Sequence, residues 1–197
     1  RDYRAALRHR VVLVYPQISG KVLSQEALSA LARFPRDGGT LIGQNVFGGE
    51  LNKVFGFADA IPSLDNSELR LLANHTVTSE FTLPEERVIR LSNNDSKTVV
   101  KGTYAYTAPI NPPLAVYEDG RAAITQKPYA SGKAYAFGVD LGYHLLMGHN
   151  GRQNKMVAAT YANGFAPTLD VLLRLIKNIS VEGNVNAITL ATVPAGK

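Results

Sequence analysis

Asp140, His144 and His149 are the residues of this chain whose types and spacing come nearest to chemistry. A carboxylate and an imidazole four positions apart share one face of a helix. They follow Gly132-Lys133-Ala134-Tyr135-Ala136-Phe137-Gly138-Val139-Asp140-Leu141-Gly142, which reads as a glycine-gated buried strand running into a polar turn. Open α/β sheets place ligands at such strand ends. Zinc takes this donor type, but His149 lies beyond Gly148 and no second carboxylate follows, so the spacing predicts no metal centre. A small hydrolase using Asp140, His144 or His149 is the alternative that the spacing leaves.

Other catalytic patterns are missing. The chain has no cysteine, which removes disulfides, thiolate metal sites and a thiol nucleophile together. A serine nucleophile would sit in Gly-x-Ser-x-Gly between a strand and a helix; the nearest stretch, Tyr129-Ala130-Ser131-Gly132, precedes a strand and reads as a turn. Gly43 to Gly49 contains neither Gly-x-Gly-x-x-Gly nor Gly-Lys-Ser/Thr, so its glycines are expected to shape turns instead of cradling phosphate. The sequence thus assigns no catalytic residue and no cofactor. Three Asn-x-Ser/Thr triplets, at Asn74, Asn94 and Asn178, match chance frequency and carry little weight.

Bulk properties bound the rest. The 197 residues are 45% hydrophobic and 19% charged, enough to bury one real core. Net charge is +5, but only Arg1, Arg4, Arg8 and Arg10 cluster, and there is no basic stripe interleaved with aromatics. Nucleic acid is therefore not an expected partner. No apolar run approaches the ~20 residues of a membrane span. The first residues carry no signal-peptide core, as a mature or excised chain would also show.

The elements that must position these residues begin with Val11-Val12-Leu13-Val14-Tyr15, a β-branched run closed by Pro16 and expected to be a central strand covered on both faces. Ser24 is placed to cap a helix with Leu28, Leu31 and Ala32 on one face, ended by Pro35 and Gly38-Gly39. Thr40 to Gln44 follows as a second, parallel strand, completing a βαβ unit. Gly48-Gly49 opens a short helix bearing Leu51, Val54 and Phe55, closed by Gly56. A helical turn is expected from Asp65-Asn66-Ser67 through Leu69 and Leu72. Residues 76–129 read as a β-rich insertion with strands at 88–91, 98–101 and 114–117, the last turning through Glu118 to Arg121 into Ala122 to Thr125. The α/β pattern resumes at 134–139, with a helical turn over 141–147. Thr168 is expected to cap a helix with Leu169, Leu172, Leu173 and Ile176 on one face, and Ala187 to Ala191 is expected to be a final strand. The fold class expected is a single α/β domain over residues 1–197, an open and mostly parallel sheet flanked by helices.

The order strand, helix, Gly-Gly-Thr-Leu-Ile, Gly-Glu-Leu-Asn-Lys-Val-Phe-Gly-Phe, β-rich stretch and Gly-Lys-Ala-Tyr-Ala-Phe-Gly-Val-Asp-Leu-Gly resembles a class I glutamine amidotransferase-like domain. More narrowly it resembles the non-catalytic versions that accompany carbohydrate-active enzymes, such as the trimerisation domain of some β-galactosidases. The resemblance implies a flavodoxin-like three-layer sandwich. It also implies lost amidotransferase chemistry, because the family's cysteine is absent and Val139-Asp140-Leu141-Gly142 stands where its histidine motif belongs. The end of the chain, from the helix at Asp170 through Val193-Pro194-Ala195-Gly196-Lys197, resembles the lead-in to a polysaccharide deacetylase domain of exported proteins.

These resemblances imply a non-catalytic accessory domain of an exported carbohydrate-active protein, periplasmic or extracellular. Its expected partners are a polysaccharide, a covalently linked deacetylase domain and further copies of itself as a homo-oligomer or self-association scaffold. The residues expected to meet glycan follow the strand ends: Gln44, Asn45, Asp140, Tyr143 and His144, with Tyr104 and Tyr106 as exposed aromatic platforms. An aromatic face stacks on a pyranose while amides and carboxylates bond its hydroxyls.

Overall fold

The computed structural model describes residues 3–15, 17–63, 66, 68–91, 103–140 and 166–181. Its elements run α1 (Tyr3–Ala6), β1 (Val11–Val14), β2 (Ile18–Ser19), α2 (Gln25–Arg33), β3 (Thr40–Gln44), β4 (Val46–Phe47), α3 (Glu50–Phe55), β5 (Asp59–Ser63), β6 (Glu68–Leu71), β7 (Val88–Arg90), β8 (Thr103–Thr107), β9 (Ala115–Tyr117), β10 (Ala122–Pro128), β11 (Lys133–Phe137) and α4 (Ala166–Val181). The main sheet follows the order β1-β3-β11-β10-β9-β6-β7, with β8 joined to β10 and β5 to β8. Parallel pairing joins β1 to β3 and β3 to β11. Every other pair in that sheet is antiparallel. The protein is thus mixed α/β, and the expectation of a mostly parallel sheet is corrected: among the described residues of the main sheet only β1, β3 and β11 form a parallel wing.

Alternation along the central strands explains why both faces are dry. Ala134 and Ala136 of β11 point into one apolar cluster with Leu41, while Tyr135 and Phe137 point into the other with Ile42. The first cluster is closed by Leu28 and Leu31 of α2 and Leu51, Val54 and Phe55 of α3. The second is closed by Val171, Leu172, Leu175 and Ile179 of α4. Ser24 caps α2 as its sequence position predicts, its hydroxyl accepting the Ala27 N–H at 3.2 Å. Gly56 ends α3 in the left-handed region at φ 78°, the conformation its position in the sequence anticipates.

Three expectations change. Among the described residues β1 is an edge strand, with Leu13 51% and Tyr15 57% exposed; its β-branched run signals a strand but carries no information about neighbours. The expected helical turn through Leu69 is instead β6, where Leu69 and Leu71 are buried and Arg70 lies outward, a period of two. The last helix starts at Ala166, ahead of Thr168, and its buried stripe is Val171, Leu172, Leu175 and Ile179, leaving Leu173 exposed. β5 and β8, which pair antiparallel, carry no strand expectation of their own, although β8 falls within the stretch read as β-rich. The strands expected at 98–101 and 187–191 and the turn at 141–147 lie outside the described residues.

Arg174 fastens α4 to the β-rich side. Its guanidinium lies 4.7 Å from the centre of the Phe81 ring and within 3.4 Å of Glu80 and 3.3 Å of Glu86. Asn178 donates to the Val77 carbonyl at 3.1 Å and to Glu80 at 2.7 Å, so this Asn-x-Ser asparagine serves as a packing residue on the helix. No helix among the described residues is long and apolar enough to cross a membrane, as the sequence predicts.

Candidate ligand-binding site

The parallel wing has one carboxyl end, where three strands deliver their following residues together. β1 and β3 leave the main sheet side by side and pair again, still parallel, as β2 and β4, with Ile18 opposite Val46 and Ser19 opposite Phe47. Asn45 makes the pivot between β3 and β4 at φ 47°, in the left-handed region that asparagine tolerates, and its N–H donates to the Phe137 carbonyl at 2.8 Å. The ribbon then turns through Gly48 and Gly49 into α3, where the Asn52 side chain accepts the Gly48 N–H at 2.7 Å.

β8 approaches the same end from the antiparallel side. The Tyr104 N–H donates to the Gly138 carbonyl at 2.7 Å, and the Gly138 N–H donates to the Ala123 carbonyl at 2.8 Å. A buried phenol clamps this junction: the Tyr117 hydroxyl donates to the carbonyls of Gly138, at 2.9 Å, and Tyr104, at 3.0 Å. With its backbone so held, the Tyr104 ring stacks on Phe47 at 5.3 Å between centroids and 12° between planes. The Gln17 amide then donates to the Tyr104 hydroxyl at 2.7 Å. The product is a half-exposed aromatic ledge edged by an amide, with Tyr15 exposed at the end of β1 and Asp140 half-buried beyond β11.

The structure sorts the residues expected from the sequence. Gln44 and Asn45 stand at the carboxyl end of β3 but are buried, at 1% and 3% exposure, and so present no surface to a ligand. Tyr104 is on the ledge. The expectation that Tyr106 is an exposed platform is corrected: it is 2% exposed, its ring lies 4.3 Å from that of Phe57, and its hydroxyl donates to the Phe137 carbonyl at 3.1 Å. Asp140 follows β11 as expected. Tyr143, His144 and His149 lie outside the described residues. Gln17 and Phe47 escaped the sequence reading, because two-residue strands are too short to show a period.

Chemically the ledge offers stacking and neutral hydrogen bonds. Among the described residues no group of three His, Cys, Asp or Glu side chains is placed to hold a metal ion. His75 is engaged in structure, its Nδ1 accepting the Val77 N–H at 3.2 Å.

The clamp has a pH signature. Burial pushes the Tyr117 and Tyr106 hydroxyls above the ordinary phenol value near 10. The folded state therefore keeps protons that the unfolded chain sheds, and the stability this lends is complete below about pH 10 and falls as pH rises further. The urea midpoint is expected to fall progressively as pH rises above about 10. That drop is shallower in Tyr117→Phe; an identical slope in the variant would remove Tyr117 from the account.

No protein-family model matches the chain, and no curated protein matches it. Solved structures similar to it include Gan42B, a GH42 β-galactosidase, at 18% identity and TM-score 0.44, covering 72% of this chain and 21% of that one. The β-galactosidase of Bacillus circulans sp. alkalophilus gives 16% and 0.48, covering 66% of this chain and 20% of that one. The cytoplasmic protein STM1381 of Salmonella typhimurium LT2 gives 13% and 0.49, covering 87% and 73%. The chain thus spans about a fifth of the length of these β-galactosidases. The resemblance to an amidotransferase-like domain is corrected by these findings: no family model carries it, and the structures just named are β-galactosidases and a cytoplasmic protein. The glycine-gated segments that suggested it are satisfied by a three-strand parallel wing, which is a smaller requirement than the whole family fold.

Proposed function

We propose that this chain is a non-catalytic accessory module of an exported carbohydrate-active protein, a polysaccharide deacetylase on the expectation from its sequence, and that it holds glycan on the ledge of Phe47, Tyr104 and Gln17. The observation that carries the reading is the Phe47 and Tyr104 stack with the Gln17 amide on the phenol, set at the carboxyl ends of β1, β3 and β11. A pyranose presents a C–H face and equatorial hydroxyls. Rigid aromatic surface beside an amide answers both at little entropic cost, since the rings are already packed. Helices α2 and α3 over one face of the sheet and α4 over the other support reading the whole as a three-layer sandwich of flavodoxin type, with the parallel wing as its binding end.

Calorimetry of the purified chain against acetylated and partially deacetylated polysaccharides tests the proposal. Selective, saturable heats with at least one glycan are expected. Absence of binding across the whole panel would overturn it.

A further inference from the structure

The opposite end of the parallel wing holds a second recess that glycan recognition does not use. It is a cleft of about 560 Å³ between the turn after α1, the end of α2 and the entry to β3. That volume falls within the range of small-molecule sites. Arg8, Arg10 and Arg33 line it against the single carboxylate of Asp37, while Leu7 and Phe34 supply half-buried apolar wall. We infer that this cleft binds a compact oxyanion, the carboxylate or phosphate group of a small molecule, through Arg8 and Arg10 ahead of β1 and Arg33 at the carboxyl end of α2.

Charge, anchoring and shape support the assignment. Asp37 engages Arg33 through Nε alone, at 2.9 Å, so the outer guanidinium nitrogens of Arg33 have further donors to offer. No acidic partner of Arg8 stands among the described residues. The carboxyl end of α2 contributes only about half a negative charge here, less than the arginine excess. The walls are held by backbone bonds: Thr40 N–H to the Arg10 carbonyl at 2.8 Å, Gly39 N–H to the Phe34 carbonyl at 3.0 Å and Leu7 N–H to the Tyr3 carbonyl at 3.2 Å. Forked guanidinium groups match the paired oxygens of carboxylate and phosphate, and the apolar wall favours an anion with an organic body.

The test is titration of the isotope-labelled full chain with inorganic phosphate, D-glucuronate and D-glucose, following the Gly38 and Gly39 amides. Both anions are expected to give saturable shifts with dissociation constants on the order of 1 mM. Tighter binding of glucuronate would assign a role to the apolar wall, and equal binding would place recognition on the arginines alone; either supports an oxyanion site. Glucose is expected to leave these amides in place. Arg8→Ala combined with Arg10→Ala should weaken both anions about tenfold or more, and the exposed single change Arg8→Glu, which spares the fold, should do so by itself. Shifts from glucose equal to those from the anions, no saturation by either anion, or unchanged anion affinity in Arg8→Glu would overturn the inference. These amides lie at the other end of the strands from the ledge, so the outcome is independent of glycan binding.

Discussion

Gly138→Ala is expected to destabilise the chain by about 3 kcal/mol or more, a larger loss than most single methyl additions. A Cβ at this position would stand 1.9 Å from the Tyr104 carbonyl oxygen and 2.9 Å from the Tyr117 hydroxyl. The first neighbour is backbone, and it cannot retreat cheaply, because the Tyr104 N–H is bonded to the Gly138 carbonyl at 2.7 Å and the Gly138 N–H to Ala123 at 2.8 Å. Relief therefore means prising β8 from the end of β11 and breaking the Tyr117 clamp in the same movement. For a chain of this size the loss should lower the melting temperature by roughly 6–12 °C. Thermal and urea unfolding of the variant give the number directly. Gly120→Ala is the comparison: its added Cβ meets nothing within 4 Å, and only the positive φ of 83° resists it, so its loss should be near 1 kcal/mol. Equal stability of the two variants would show that the close approach at Gly138 is not a constraint.

Tyr104→Ala is expected to have the largest effect on ligand binding, weakening glycan affinity at least tenfold, about 1.4 kcal/mol, with a smaller change in stability. The substitution removes half of the stacked pair and the acceptor of the Gln17 amide together. Tyr104→Phe separates the two contributions. It keeps the ring against Phe47 and loses only the hydroxyl that Gln17 meets, so its affinity should fall between those of the wild type and the alanine variant. Wild-type affinity in Tyr104→Ala, measured by the same calorimetry, would move the binding surface away from the ledge.

What could be read from the sequence was set by where periodicity was strong. β3 and β11 are buried on both faces, so Thr40 to Gln44 and Lys133 to Phe137 appear as continuous apolar or small runs bounded by glycine, and their extents followed closely. The helix after Ser24 was legible for the same reason, with a cap, a stripe and a stop in order. Local pairing was legible, in the parallel β1 and β3 unit and in the β9 and β10 hairpin, but the order of the whole sheet was not. Val11 to Val14 has the composition of a central strand yet lies at an edge among the described residues, because neighbours are chosen by contacts distant in sequence. Pro62 weakens the strand signal over β5, yet its pairing opposite Tyr104 is compatible with an outer strand.

The site was half visible. Strand-end logic led to Gln44, Asn45 and Asp140, but depth separates residues that alternation treats as equivalent. Tyr104 and Tyr106 share a parity on β8, and Phe57 covers only the second. Phe47 and Gln17 come together through a two-stranded ribbon whose strands are two residues each, which no window of sequence can detect.

The measurement that bears most directly on the central claim is an amide spectrum of the isotope-labelled chain with and without a saturating oligosaccharide that calorimetry has identified as a ligand. Glycan recognition at the ledge predicts that the largest shifts fall on Tyr15, Gln17, Ile18, Val46, Phe47, Tyr104 and Gly138, all at the carboxyl end of the parallel wing, while Gly38 and Gly39 at the other end stay put. Shifts concentrated elsewhere, with Phe47 and Tyr104 unmoved, would contradict it.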